Sequence, residues 1–427
     1  MPRVDKPLAK SVGCRGGSPM THPVRQMLVN VKQYAMVAAG GLGLTGDRAP
    51  SGPLQAQIGI NDPCNHKCVF CWDHPPDERE NDDTKNRFGL ARPGVMSLEQ
   101  FTKIVDDLYQ LGTRRIDLIG RGEPLLNRHA LEMIRYVKAR KMQLLLCSNA
   151  SRLSEAIATG MVEAGLDRMN VSLNAGTPET YPHIHVTETP ENYRRVKRNL
   201  RFLADCKRAA GKDLPYVSLS FVVNSKNFFE ISEMVGVTAE VGAQEASFVH
   251  TTVHDGTPDL ALSPAQYREL LESIPAARDR AAALGVQTNL TLFAAEAPAY
   301  LSDEIVGPPI VPCYVGWYFT VVLGNGSVLP CCQCTKPIDQ VSKERSFADV
   351  WASQKYGDFR AAARALPAPS DRLQTCECDR CQLRPRNLAI HNFLHPLNRL
   401  PAGEAVQKFT LGDVARKIQG VHGRRPW

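Results

Sequence analysis

The chain has 427 residues, a formal net charge of +7, 43% hydrophobic residues and thirteen cysteines. That is enough apolar chain for one large α/β domain and a smaller one. The charge contains no long Lys/Arg run to mark a nucleic-acid binder, although a mildly basic groove for an anionic substrate stays open. No stretch approaches the length of a transmembrane helix, and no signal-peptide core opens the sequence. The cysteines therefore read as metal or redox thiols of a reducing cytoplasm rather than as disulfides.

In chain order, residues 1–53 read as an N-terminal extension and linker. Met1 to about Thr21 has no apolar period, His22–Ala39 is weakly helical, and Gly40–Pro53 is glycine-rich. Leu54–Asn61 alternates as a strand does. After a cysteine-bearing loop, Ser97-Leu98-Glu99-Gln100 predicts a capping box opening a helix to Leu111. Strands are expected at Arg115–Gly120, Met142–Cys147, Asp167–Leu173, Pro215–Val223 and Glu245–His250. Helices are expected at Asn127–Lys141, Ser154–Gly165, Pro190–Ala210 and Phe228–Val241. Six βα repeats of this kind imply a parallel sheet, curled into a partial (βα)6 TIM-like barrel or open, over residues 54–292. Ser263-Pro264 caps a further helix to about Gly285, and Val286–Leu292 reads as another strand. Residues 293–385 are read as a small cysteine-rich β-hairpin/helix domain entered through a linker at 296–312, and 386–427 as a polar, basic tail with no assigned role.

Cys64, Cys68 and Cys71 follow the first strand with the spacing C-x3-C-x2-C. Three thiolates are one short of a closed tetrahedral site, which suits an iron–sulfur cluster with one iron open to a ligand. A structural zinc site or buried free thiols are the alternatives, although zinc ribbons use paired C-x2-C knuckles. With Phe70 before the third cysteine, the stretch resembles the radical S-adenosylmethionine (SAM) superfamily. The resemblance implies a [4Fe–4S] cluster on Cys64, Cys68 and Cys71 that binds SAM, with the Phe70 backbone near the adenine.

Strand ends test this expectation, because βα barrels collect chemistry on that face. The expected strands end in Gly120-Arg121-Gly122-Glu123-Pro124, Ser148-Asn149, Ser172-Leu173-Asn174, Asn224 and His250. Gly122-Glu123-Pro124 resembles the superfamily's glycine-glycine-glutamate-proline motif, with Arg121 standing where its first glycine belongs. The resemblance makes Gly122, Glu123, Pro124, Ser148, Ser172 and Asn174 SAM-binding positions. Each read alone is also an ordinary turn residue.

A second cysteine group comprises Cys313, Cys331, Cys332, Cys334, Cys376, Cys378 and Cys381. A hairpin turning at Gly324-Asn325-Gly326 would bring Cys313 and Cys331 together, and Cys378-Asp379-Arg380-Cys381 adds a C-x2-C pair. The four thiols would close a site for an auxiliary [4Fe–4S] cluster, or for zinc. This unit resembles the SPASM and twitch domains that follow many radical SAM barrels. The longer cysteine block of a full SPASM domain is absent, so one auxiliary cluster is expected rather than two, and Cys332, Cys334 and Cys376 become spare thiols. Cys147 and Cys334 are candidates for returning a hydrogen atom to a substrate radical; a buried structural thiol is the plainer reading of each.

The resemblance implies an enzyme that cleaves SAM reductively and abstracts hydrogen from a substrate, served by a flavodoxin- or ferredoxin-type reductant. No leader-peptide-binding module is recognised ahead of Cys64, which favours a small molecule such as a sugar or aminocyclitol, undergoing oxidation, epimerisation or decarboxylation. A maturase of a ribosomally made peptide is the alternative, and a non-enzymatic zinc or iron–sulfur protein the rival from another class. No nucleic-acid or membrane partner is expected.

Overall fold

The computed structural model describes residues 33–76, 94–253, 257–297 and 310–396, apart from 369, 371, 372, 374, 375, 377–380 and 382. The expectations for the N-terminal 32 residues, for Cys378 and for the tail beyond 396 lie outside these.

Ten strands form one sheet in the order β10-β9-β8-β1-β2-β3-β4-β5-β6-β7. The first six are β1 (Gln55–Ile58), β2 (Arg115–Leu118), β3 (Gln143–Ser148), β4 (Arg168–Ser172), β5 (Tyr216–Val223) and β6 (Glu245–His250). They pair in parallel with sequential neighbours, as six βα units require. The helices between them begin and end where their cap residues dictate. Ser97, Ser154 and Thr189 each accept a hydrogen bond from a first-turn amide. Gly165 takes the left-handed conformation (φ 70°) that closes Glu155–Ala164.

Alternation gives the sheet two unlike faces. Ala56, Ile58, Ile116, Leu146, Val171 and Phe221 lie fully buried in the core. The other face carries polar rows in register. Gln57 is beside Asp117, Cys147 beside Asn170 and Ser218, and Ser172 beside Ser220 and Ser247.

Three expectations are corrected. Val286–Leu292 holds only the two-residue β7 (Gln287–Thr288) before a helix, Leu290–Glu296. Asn289 stops the ladder because its side chain bonds both backbone groups of Phe248, at 2.8 and 2.7 Å. Leu290 and Phe293 then bury as a helical pair. The first strand of the expected hairpin begins only at Phe319, because Val315–Tyr318 makes one helical turn after Cys313. The hairpin β8 (Phe319–Val322) and β9 (Ser327–Leu329) does not stand apart from the barrel sheet: β8 pairs in parallel with β1. The short β10 (Asp339–Gln340) closes this edge.

The expected linker and tail are both fastened to this hairpin edge. Trp351 Nε1 donates to Ser51 O at 2.9 Å, and Arg364 pairs with Asp47 at 2.7 Å. Residues Arg384–Leu394 are helical, so the expected tail boundary at 386 falls inside a helix. Asn387 of that helix accepts from the Tyr314 amide at 3.0 Å.

Candidate functional site

Cys64, Cys68 and Cys71 lie in the loop leaving β1, and each is half-buried. Backbone amides already point at two of the sulfurs: His66 N donates to Cys64 Sγ at 3.4 Å and His74 N to Cys71 Sγ at 3.2 Å. Burial pushes the Cys68 thiol up, and the charges of Cys71 and Cys64 push it further. Three thiols close enough to oppose one another's ionisation are a donor set that a cationic iron core would relieve. Phe70 sits half-buried within this turn.

The loop is held on two sides. On one, it pairs as a short ribbon with the chain after the helical turn Tyr181–Ile184: Val69 N donates to Ile184 O at 3.0 Å and Val186 N to Lys67 O at 2.9 Å. This sets Cys68 Sγ 3.1 Å from His185 Nδ1, while His185 Nε2–H donates to Leu173 O at 3.0 Å. Burial lowers the His185 pKa to about 4, so the ring is neutral. On the other side, Asp73 pairs with Arg121 at 3.0 Å and His74 reaches Asp62 O at 2.8 Å. Arg121, the departure from the glycine-glycine-glutamate-proline pattern, thus clamps the far end of the cysteine loop.

Gly122, an expected SAM-binding position, packs directly on the cysteine loop. A Cβ on Gly122 would lie 2.1 Å from Pro63 O and 2.2 Å from Asp62 O. Gly122→Ala should therefore push the loop off β2, costing at least ~1–3 kcal/mol and most of the bound iron. Thermal denaturation and iron analysis on one sample check it, and wild-type values in both would contradict the packing.

Glu123 is buried and accepts three hydrogen bonds, from Ser148 Oγ (2.7 Å), Leu125 N (2.9 Å) and Asn149 N (2.7 Å). Desolvation raises its pKa, and the Asn149, Leu125 and Ser148 hydrogen bonds oppose the shift. A carboxylate has about four lone-pair positions, so the carboxylate chiefly ties β2 to β3 and keeps one position open. Ser148 Oγ donates to Glu123 and accepts from Ala150 N at 2.9 Å, which leaves one of its two lone pairs open. Pro124 opens a 3-10 turn for which Glu123 is the cap.

Asn174 takes a left-handed conformation (φ 57°), and its Oδ1 accepts from Val222 N at 2.9 Å. Its Nδ2 is buried without a partner among the described residues. An orphan donor at a strand end is what an oxygen-rich ligand would satisfy. Ser172 lies half-buried on the polar face. Cys147 is on that face too, beside Asn170; burial keeps it a thiol.

At the sheet's other edge, burial pushes the Cys331 thiol up, and the charges of Cys332, Cys313 and Cys381 push it further. Cys381 Sγ accepts from Leu383 N at 3.4 Å, at the start of helix Arg384–Leu394. Cys313 Sγ accepts from Asn387 Nδ2 at 3.5 Å. The buried Tyr318 hydroxyl, within reach of Cys313, Cys381 and Cys331, has no partner among the described residues. Cys334 and Cys376 are not spare thiols: they form a disulfide, because a local antiparallel bridge brings their backbones together. Cys334 is thereby removed as a free hydrogen-atom donor. Sequence reasoning missed His185, Asp62 and Asp73. Asp62 and Asp73, each two residues from a cysteine, carried a local signal; His185 carried none.

A family model described as the radical SAM superfamily matches residues 60–217. A second, SPASM, described as an iron–sulfur cluster-binding domain, matches residues 313–382. A probable GTP 3',8-cyclase of Thermococcus kodakarensis is 32% identical over 187 residues, 44% of this chain and 53% of that one. A tungsten-containing aldehyde ferredoxin oxidoreductase cofactor-modifying protein of Pyrococcus furiosus is 23% identical over 350 residues, 76% and 86% of the two chains. The chain spans about half the length of the first of these relatives. Among solved structures, Streptococcus suis SuiB bound to S-adenosylmethionine has a TM-score of 0.54 at 16% identity, covering 85% of this chain and 78% of its own. Native anSMEcpe with bound AdoMet has a TM-score of 0.53 at 15% identity, covering 86% and 100%. At such identities the likeness is one of fold.

Proposed function

We propose, from the premise that this chain belongs to the radical SAM superfamily and carries an iron–sulfur cluster-binding SPASM domain, that it is an enzyme taking hydrogen from an unphosphorylated, hydroxyl-rich small molecule. Cys64, Cys68 and Cys71 would hold the SAM-binding [4Fe–4S] cluster, and Cys313, Cys331 and Cys381, with Cys378, one auxiliary cluster. When bound, the reduced cluster supplies one electron to the SAM sulfonium, and the resulting 5′-deoxyadenosyl radical takes hydrogen from an unactivated C–H bond. Asn174 Nδ2, a buried donor, and Ser172 would bond ligand oxygens, and the Phe70 backbone would border the adenine. Glu123 ties the end of β2 to the end of β3 through the contacts described above.

The observation that carries the substrate class is the polar face of the sheet. A closed (βα)8 barrel fills this layer with Val, Ile and Leu. Here it carries Gln57, Asn170, Ser172, Ser220 and Ser247, all half-buried, with the thiol of Cys147 among them. Its charged residues pair off: Arg115 with Asp117 at 2.9 Å, and Arg168 with Glu245 at 2.7 Å. What remains to greet a ligand is neutral hydroxyl and amide, which suits a sugar or aminocyclitol better than a phosphorylated substrate.

The protein is purified anaerobically and its iron, sulfide and zinc are measured. About eight irons per chain are expected for two cubane clusters and about twelve for three. Zinc without iron or sulfide would end the radical-enzyme reading. The loaded enzyme is then given SAM, dithionite and deuterated sugars or aminocyclitols. Deuterium in 5′-deoxyadenosine is expected. Transfer only from peptides would move the substrate class to the alternative set out above.

A further inference from the structure

We infer that the basic surface over Cys68, formed by Arg152 and the first turns of helix Pro190–Ala209, is the docking site for a small acidic protein that delivers single electrons. This rests on the assignment of a cluster to Cys64, Cys68 and Cys71, and adds where its electron enters.

The wall behind Cys68 is thin. His185 faces the sulfur at 3.1 Å and packs on His66 and Tyr181, with ring centroids 5.2 and 4.6 Å apart. The next residue, Val186, is already 51% exposed. It is bonded to the cysteine loop through Lys67 O, and Thr187 Oγ1 accepts from Lys67 N at 3.3 Å.

Cations outnumber carboxylates on the segments that flank this thin wall. Arg152, Arg194, Arg195 and Arg198 are exposed and Lys67 half-buried. The helix buries Tyr193, Val196 and Leu200 against the barrel, so its arginines face outward. The charges of Arg195 and Arg152 both reach Glu188. Glu188 is itself buried against His66 Nε2 at 3.4 Å. Glu191 is shared by Arg194 and Arg198, at 3.5 and 2.9 Å. On these segments, which include the exposed Val186, five cations are answered by the two carboxylates Glu188 and Glu191. An apolar centre with a charged rim is how protein interfaces are built, and a positive patch steers an acidic partner. On the opposite side of the loop the Asp73–Arg121 pair is internally neutralised. The transfer moves one electron from the carrier's reduced centre to the oxidised cluster. The carrier is oxidised by one electron, and no proton or bond changes hands.

The test uses the iron-loaded full chain and photoreduced flavodoxin as the acidic carrier, mixed anaerobically in a stopped-flow cell. The double variant R152E/R195E should accept electrons at least about tenfold more slowly at low salt. The gap should close as salt screens the patch. Titanium(III) citrate should still reduce the variant fully, showing that fold and cluster survive. Arg208→Glu reverses a charge in the last turn of the same helix and should cost less than about twofold. The docking site is overturned by a wild-type rate in the double variant, by an equal slowing from Arg208→Glu, or by the absence of salt dependence in the wild type. If titanium reduces nothing in the wild type and no iron is present, the cluster assignment itself has failed, which is a different result from a slow flavodoxin reaction.

Discussion

Replacing Cys68 with alanine should abolish SAM cleavage and remove about four iron atoms per chain, leaving an auxiliary cluster that still gives an EPR signal. The expectation follows from how the loop is built. Three thiols are the fewest that hold a cubane and leave one iron open, so no sulfur is redundant. Cys68 is the middle one, fixed by the ribbon to Ile184 and Val186, and no free cysteine among the described residues is placed by that ribbon to replace it. His185 stands next to the vacated position, but its ring is anchored through Nε2 to Leu173 O. The other end of the loop, clamped through Asp73 and Arg121, should survive. The variant should therefore fold, with a melting temperature within a few degrees of the iron-free wild type, and be silent in 5′-deoxyadenosine formation. Cleavage within tenfold of the wild-type rate would sink the assignment of the cluster to this loop.

How much of this was readable beforehand depended on range. The C-x3-C-x2-C loop, the six βα units and the caps at Ser97, Ser154 and Gly165 are local patterns, and local physical chemistry fixes them. The turn at Gly324-Asn325-Gly326 was legible for the same reason. What the pattern did not carry was pairing at a distance. Nothing in Phe319–Val322 announces that it will lie beside Gln55–Ile58, more than 250 residues earlier. His185 reaches Cys68 only because the chain after Tyr181–Ile184 folds back as a ribbon, and a lone histidine in a loop carries no spacing signal. Arg121 looked like a flaw in a family motif and is an ion pair. Gly122 stood out through its family motif, and the close approach visible in the structure is to Pro63 and Asp62. Cys334 and Cys376 lie 42 residues apart, a separation that identifies no partner.

Cys381→Ala is expected to separate the two halves of the reaction: SAM cleavage retained within about threefold, product formation down by at least about a hundredfold. Cys381 sits at the N-terminus of helix Arg384–Leu394, where the unpaired amides and the helix dipole favour a thiolate ligand. The same helix holds Cys313 through Asn387. Losing Cys381 should therefore empty the auxiliary site, lowering iron from about eight to about four per chain, without touching Cys64, Cys68 or Cys71. The two sites are nevertheless joined structurally. Buried Asp62, at the root of the cysteine loop, accepts from Gly94 N at 2.7 Å and from Gly324 N, in the hairpin turn, at 3.3 Å. A variant that merely loosened the hairpin would transmit the damage through Asp62 and lose both activities together. Uncoupled cleavage, by contrast, requires that the hairpin stay docked while the substrate radical, once formed, has no productive outcome. Measuring 5′-deoxyadenosine and product in the same reaction distinguishes these. Equal loss of both would mean that the C-terminal thiols hold the fold together and take no separate part in turnover.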